Sequence, residues 1–183
     1  MLTLRSLGGA GTVTGSKHLL SLGEKRLLVD CGLFQGLKNL REMNWQPLPV
    51  EASSITDVAL THAHLDHSGY LPRLVNEGFR GRIHASAGTR DVAELILKDS
   101  GHLQEKDAEY ANRKGFSKHK PALPLYTVQD AERALKQFSN VPFGKPAPLP
   151  DGATLTFRYA GHILGAATAE IDWGGKRIVF SGD

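Results

Sequence analysis

Cysteine is almost absent from the sequence, which holds Cys31 as its single thiol among 183 residues. One cysteine excludes a disulfide framework within the chain and favours a reducing compartment, so we expect a cytoplasmic protein. Long hydrophobic runs are also missing, and residues 1–5 are not followed by the apolar stretch of a signal peptide. We therefore predict no signal peptide and no membrane span.

Several catalytic signatures are missing as well. The sequence has no G-x-S-x-G segment, no phosphate-binding P-loop and no dinucleotide fingerprint. Serine hydrolase, NTPase and Rossmann-type functions therefore find no support.

The composition is that of a folded domain with a real core. Hydrophobic residues make up 40% and charged residues 22% of the chain. The net charge of +3 permits an anionic substrate, although a dedicated nucleic-acid binder is often more basic. The basic segment 113–120 has the residues to contact phosphates, but a solvated loop is the favoured interpretation.

Hydrophobic periodicity and turn residues predict both helices and strands in one domain. Strands are predicted at 2–7, 17–22, 26–29, 57–60, 81–86, 153–159, 166–172 and 176–180. Helices are predicted at 70–77, 89–111 and 127–138, with shorter helical turns near 39–43 and 51–55. In the long helix, the spacing of Val92, Leu95, Ile96 and Asp99 predicts one shared face on which only Asp99 is polar.

Three of the eight histidines, His62, His64 and His67, stand in one six-residue window together with Asp66. The apolar run 58–60 predicts a buried strand before the window and a helix is predicted after it, so these side chains converge on a strand-to-helix turn. His62 and His64 leave an extended segment on the same side, whereas Asp66 and His67 face a second point nearby. Imidazole and carboxylate ligands suit zinc, and two metals about 3.5–4 Å apart form a hydrolytic site. This context favours a metal site over surface histidines in a polar loop.

Three further residues stand where they can complete such a site. His162 lies in a glycine-flanked loop; alone it reads as structural, but beside the cluster it is the best candidate for a third histidine ligand. Asp183 follows an apolar strand, a position suited to a bridging carboxylate. Asp30 also ends a strand, where a turn-forming role and a role in the site are equally supported. The remaining histidines are interpreted as structural or surface residues: His18, His84, His102 and His119.

Taken together, these segments resemble the metallo-β-lactamase-fold hydrolases. Residues 62–67 match the H-x-H-x-D-H motif of that family. Within that family, four segments resemble the sequence motifs of the β-CASP RNA and DNA nucleases: residues 8–16, 30–36, 160–165 and 180–183. They are most similar to the relatives of the endonuclease subunit of the cleavage and polyadenylation specificity factor.

The resemblance implies an α/β fold, the αββα sandwich of the family, in incomplete form. Residues 1–183 are then the N-terminal part of a metallo-β-lactamase domain, without the β-CASP insert, the later motifs and the strands that complete the core. The second metal would lack its last histidine, so inactivity of this segment by itself is an open alternative. An unfinished sheet edge also predicts self-association, as a homo-oligomer.

The resemblance further implies a two-zinc site and a role for each candidate residue. The metal ligands would be His62, His64, Asp66, His67, His162 and Asp183. His162 would join the first two histidines on one zinc, and Asp183 would bridge to the second. Asp66 and Asp30 are expected to be the catalytic carboxylates, Asp66 by orienting the attacking water and Asp30 by fixing a ligand histidine through its other ring nitrogen.

The function implied by the resemblance is zinc-dependent hydrolysis of phosphodiester bonds in RNA, either endonucleolytic or from the 5′ end. RNA is the expected partner and no membrane is expected. Two alternatives stay open. One is a small-molecule thioester, lactone or β-lactam hydrolase of the same fold, and the other is a non-catalytic RNA-processing subunit.

Overall fold

The computed structural model describes residues 1–117, 119–150 and 152–183, in which two β-sheets pack together and one sheet carries a layer of helices. The strands are β1 (Leu2–Gly8), β2 (Lys17–Leu22), β3 (Lys25–Val29), β4 (Asp57–Ala59), β5 (Arg82–Ala85), β6 (Phe138–Asn140), β7 (Ala147–Pro148), β8 (Thr154–Tyr159), β9 (Ala167–Trp173) and β10 (Lys176–Phe180). The helices are α1 (Lys38–Met43), α2 (Leu65–Ser68), α3 (Leu71–Asn76), α4 (Ala87–Lys114) and α5 (Val128–Leu135), with a 3₁₀ turn at Ala52–Ser54.

The first sheet has the order β1-β2-β3-β4-β5-β6 and changes from antiparallel to parallel at β3. From β3 onward the strands run side by side in one direction, so their carboxyl ends meet at one edge. The second sheet has the order β10-β9-β8-β7 and is antiparallel. The edge where β3 and β4 end is therefore where residues following these strands converge.

Two hydrophobic cores lie on opposite faces of the first sheet. Along β3, Leu28 packs into the core shared with the helices, whereas Leu27 and Val29 pack into the core shared with the second sheet. The alternation follows from the two-residue period of a strand. Strands covered on both faces read as continuous apolar runs, which is why β3 and β4 were recognisable from sequence. Two packed sheets with a layer of helices on one of them are the mixed α/β sandwich that the sequence predicts.

The principal strands agree with the sequence prediction within one or two residues, but the helices differ in two respects. The helix predicted at 70–77 is preceded by the separate short helix α2, which carries part of the histidine cluster. The apolar face predicted for the long helix is only partly buried: Val92 packs against the core, but Leu95 is 73% exposed while Ala93 and Leu97 are buried. Gly101 explains the shift: a Cβ there would lie 2.9 Å from the Thr127 backbone, so small residues let α5 approach.

None of the helices in the described ranges combines the length and the apolar character needed to cross a bilayer. The longest, α4, carries charged residues along its whole length. It ends at Gly115 in a left-handed conformation, and the basic residues Arg113, Lys114 and Lys120 there are exposed. Lys118, the remaining cation of the predicted basic segment, lies outside the described residues.

Candidate metal centre

The turn that carries the histidine cluster is held in shape by the two loops beside it. The Ser16 N–H donates to the Asp66 carbonyl at 2.8 Å, and the Cys31 N–H donates to the His67 carbonyl at 2.7 Å. Gly32 makes this approach possible, since a Cβ at that position would clash with the Asp66 carbonyl oxygen. The loop after β3 and the turn after β4 therefore form one backbone unit.

The first group of candidate ligands brings three histidines and one carboxylate together. The ligand atoms of His62, His64, His162 and Asp183 all lie within 4.8 Å of one another. His162 Nε2 lies 3.1 Å from His64 Nδ1 and 3.9 Å from Asp183 Oδ2, and His62 Nε2 lies 3.8 Å from the same oxygen. The fold thus brings the loop histidine predicted from the distant part of the sequence to the cluster.

The second group consists of Asp66, His67 and Asp183, whose ligand atoms also lie within 4.8 Å of one another. His67 Nε2 lies 3.2 Å from Asp183 Oδ1 and 4.0 Å from Asp66 Oδ2. Asp183 directs one oxygen to this group and its other oxygen to the three histidines. A carboxylate shared in this way has the geometry of a bridge between two neighbouring cations.

Asp30 is buried and fixes the orientation of one histidine in each group, His67 directly and His62 through Thr61. Its Oδ2 accepts a hydrogen bond from His67 Nδ1 at 2.7 Å. The Thr61 hydroxyl donates to the Asp30 carboxylate at 2.9 Å and lies 3.1 Å from His62 Nδ1, from which it accepts. Since both Nδ1 atoms are donors, both Nε2 lone pairs are left for a cation. Asp30 has a left-handed backbone (φ 57°), an uncommon conformation for a residue other than glycine.

The residues present fit a divalent metal. His62 Nε2 is buried without a hydrogen-bond partner among the described residues. Burial, reinforced by the neighbouring His67, lowers the pKa of His62 to about 4, which keeps it a neutral ligand. At His67, burial opposes protonation, but the hydrogen bond and charge of Asp30 and the nearby Asp183 raise its pKa above the ordinary value. A metal cation would satisfy the orphaned nitrogen and the facing carboxylates together.

The loop that carries His162 is fastened to the start of α4. The Gly165 carbonyl accepts hydrogen bonds from Ser86 Oγ at 2.6 Å and from Thr89 Oγ1 at 2.8 Å. Gly165 is left-handed (φ 82°), and a Cβ there would clash with the Thr89 backbone nitrogen. In addition, the Ala167 N–H donates a hydrogen bond to the Thr61 carbonyl at 2.9 Å.

Two of these supporting residues were missed by sequence reasoning. Thr61 bonds to Asp30 through its N–H and hydroxyl and to β9 through its carbonyl, yet nothing in its sequence setting separates it from any threonine at a strand end. Thr89 lies inside the first turn of α4, where only the tertiary contact with Gly165 shows its role. The local cluster was recognisable because its signal is contained in six residues.

A cleft of about 340 Å³ opens beside the second ligand group. It is bounded by the glycine-rich loop 9–16, by His67, by residues 179–183 and by His18. His18 was interpreted from sequence as structural or surface, and the fold instead places it in the wall of this cleft. Of the other isolated histidines, His84 is buried and bonded to Asp57 at 2.8 Å, whereas His102 and His119 are exposed.

The family model for the Metallo-beta-lactamase superfamily matches residues 15–183. This chain belongs to the metallo-beta-lactamase superfamily. Solved structures agree on the fold: a metallo-beta-lactamase of Cronobacter sakazakii (HARLDQ motif mutant S60) superposes with a TM-score of 0.55 at 22% identity, covering 97% of this chain and 58% of that one. The metallo-beta-lactamase fold protein YhfI from Bacillus subtilis gives 0.54 at 17% identity, covering 99% and 62%.

Curated members of the superfamily are more similar in sequence. Ribonuclease TTHA0252 of Thermus thermophilus is 35% identical over 96% of this chain and 36% of its own length. Transcription termination factor FttA of Cenarchaeum symbiosum is 31% identical, covering 100% and 27%, and the cleavage and polyadenylation specificity factor 73 of Drosophila melanogaster is 28% identical, covering 100% and 25%. These relatives confirm the β-CASP resemblance inferred from sequence. The chain spans about a third of the length of these curated relatives or less.

Proposed function

We propose that this chain contributes the metal-binding part of a zinc-dependent ribonuclease of the β-CASP type. The observation that carries the proposal is Asp183, whose two carboxylate oxygens face two separate ligand groups. Two adjoining cation positions of this kind suit phosphodiester hydrolysis. The names of the curated relatives favour RNA as the substrate. The cleavage itself is proposed to be endonucleolytic or to trim RNA from the 5′ end.

In the proposed site, the first zinc would be held by His62, His64 and His162. The second would be held by Asp66 and His67, with Asp183 between the two. When bound, the zinc ions would lower the pKa of a shared water and neutralise charge on the phosphoryl oxygens.

The side chains of the protein would orient the attacking water and fix which ring nitrogen of the ligand histidines carries the proton. Asp66 would accept a hydrogen bond from the attacking water and turn it toward the phosphorus. Asp30 would keep His67 in the Nδ1–H form directly, and His62 in the same form through Thr61, so that neither ring turns away during turnover. We thus propose that Asp66 contacts the attacking water itself, whereas Asp30 acts on it only through the ligand histidines.

Residues 1–183 are proposed to be the N-terminal part of the catalytic domain. The support is the fraction of each curated relative that the chain covers, between 25% and 36% in the three described above. A cytoplasmic location and self-association remain predictions from the sequence.

The test is a ribonuclease assay on the protein at its full encoded length. Purified protein is incubated with RNA bearing a 5′-monophosphate or a 5′-triphosphate, with and without a chelator, and zinc is measured in the same preparation. We expect cleavage that the chelator abolishes and that Asp66→Ala abolishes while the protein stays folded. RNA cleavage by a pure Asp66→Ala preparation would contradict the assignment. Hydrolysis of a β-lactam or thioester without RNA cleavage would favour the small-molecule alternative, and absence of zinc would favour a non-catalytic subunit.

A further inference from the structure

His18 lies in the cleft beside the candidate metal centre without belonging to either ligand group. It shares the cleft with His67 and Asp183, and the Asp30 and His67 charges act on it. Its Nε2 lies against the glycine-rich loop, where a Cβ built on Gly9 would be 3.6 Å away. His18 and Gly9 therefore lie side by side in the wall of the space that a substrate at the metals would enter.

The hydrogen bonds around His18 determine which nitrogen carries the proton. The Ser6 hydroxyl lies 2.8 Å from the Gly8 carbonyl and 3.2 Å from His18 Nδ1. A carbonyl can only accept, so the single hydroxyl proton goes to Gly8 and Ser6 must accept from His18 Nδ1–H. In the neutral ring, Nε2 then holds the lone pair, and the structure shows no protein donor to it among the described residues.

The ring is also held in place and kept neutral. Phe180 stacks on the imidazole with a centroid separation of 5.7 Å and an interplanar angle of 29°. Burial lowers the pKa of His18 despite the opposing charge of Asp30. At neutral pH the cleft therefore contains a fixed hydrogen-bond acceptor that lacks a donor.

A neutral acceptor in this position selects its ligand by chemistry. It would not attract a phosphate oxygen, which is itself an acceptor, but it would pair with a hydroxyl. Every RNA nucleotide carries a 2′-hydroxyl donor, and DNA nucleotides lack it. We propose that His18 is a specificity-determining residue whose Nε2 accepts a hydrogen bond from a ribose 2′-hydroxyl next to the scissile phosphodiester. This inference rests on the proposed ribonuclease function and adds a sugar-reading residue to it.

The experiment uses the protein at its full encoded length and an RNA with one defined cleavage site. Single nucleotides around that site are replaced in turn by the 2′-deoxy or the 2′-methoxy form, neither of which can donate. For the wild type we expect kcat/KM to fall about two- to tenfold at one position, the range of a single net hydrogen bond. The variant His18→Phe keeps an aromatic ring against Phe180 and removes the acceptor. On all-ribose RNA, its kcat/KM should be lower than that of the wild type by the same factor. The 2′-deoxy or 2′-methoxy nucleotide at that position should then lower it no further.

Two comparisons keep a folding defect from imitating this result. His18→Gln supplies an amide oxygen where Nε2 stood, so it should restore the penalty for the 2′-deoxy substrate. The matched change His102→Phe, on an exposed histidine of α4, should leave the whole substrate profile unchanged. Nitrogen-15 NMR of the protein without RNA should show His18 as the Nδ1–H tautomer.

The outcomes separate this inference from the proposed function. If the wild type fails to cleave all-ribose RNA, the ribonuclease proposal is overturned and the role of His18 with it. If RNA is cleaved but His18→Phe keeps the wild-type penalty at the sensitive position, only the role of His18 is overturned. A sensitivity that follows the base rather than the sugar, or an Nε2–H tautomer, would also overturn it.

Discussion

The candidate metal centre joins two regions that the fold holds in different ways. One is the turn at 62–67, whose backbone is bonded to the loops at Ser16 and Cys31. The other consists of the distant candidate ligands His162 and Asp183, which follow about 100 residues later along the chain. The first region is therefore bonded through its backbone to the loops beside it. The loop that carries His162 is instead held by side-chain hydrogen bonds to the Gly165 carbonyl.

Burial shows the same contrast. The His62 side chain is 1% exposed, whereas the Asp183 side chain is 48% exposed. A buried turn serves the fold and the site at once, so changes there should reduce stability as well as metal binding. Changes at an exposed distant ligand should remove metal and leave the fold intact.

The largest effect is expected from Gly32→Ala, which breaks the backbone unit of the turn. The added Cβ would clash with the Asp66 carbonyl, so the two segments must separate. We expect the free energy of unfolding to fall by more than about 3 kcal/mol, measured by urea denaturation. Gly144→Ala is the control: its Cβ meets open space at φ 71°, and it should lose about 1 kcal/mol from backbone strain alone. Equal losses in the two variants would show that the close approach does not matter.

The next effect is expected from Asp183→Ala, which removes the carboxylate shared by the two ligand groups. We expect zinc affinity to weaken by more than about a hundredfold, since even residues behind the ligands cost 10–100-fold. The unfolding midpoint of the metal-free protein should stay near the wild-type value because the side chain is half exposed. Competition with a chromogenic chelator measures the affinity. Asp172→Ala is the control, since Asp172 pairs with Arg177 outside both groups and should leave zinc binding unchanged.

The contrast between the two regions also explains what could be predicted from sequence. The turn was recognisable because strand, ligands and helix follow one another within a dozen residues. His162 and Asp183 were identified by position after strands and by the family resemblance, and the fold brings both to the cluster. The strands β3 and β4 were likewise recognisable, because each contains a continuous apolar run within the sequence.

Long-range contacts between small or polar residues were beyond sequence reasoning. The buried stripe of α4 is formed by residues such as Ala93 and Gly101, so the apolar face that includes the larger Leu95 coincides with it only in part. The roles of Thr61 and His18 depend on neighbours more than ten residues away in the chain. Hydrophobic patterning detects buried area, and these contacts bury little of it.

A smaller effect is expected from Asp30→Asn, which weakens the support of His67 while keeping the ligands. The chain offers a matched control in Asp57, which bonds to His84 at 2.8 Å as Asp30 bonds to His67 at 2.7 Å, and both pairs are buried. We expect Asp30→Asn to weaken zinc binding about 10–100-fold. Asp57→Asn should reduce the free energy of unfolding by about as much as Asp30→Asn does, and it should leave zinc affinity unchanged. If both variants lower zinc affinity equally, the effect is one of general stability rather than ligand orientation.

The smallest effect is expected from Thr89→Val, which tests how the distant half of the site is fastened. Valine keeps the shape of the side chain and removes one of the two hydrogen bonds to the Gly165 carbonyl, while Ser86 keeps the other. His162 would then be less firmly placed against His64, and we expect zinc affinity to fall about two- to tenfold, the range of one net hydrogen bond. Thr56→Val is the matched control, because it removes a hydroxyl bond to the Arg26 carbonyl outside the site. Unchanged zinc affinity in Thr89→Val would mean that the Ser86 hydrogen bond and the glycine backbone contact position the loop without Thr89.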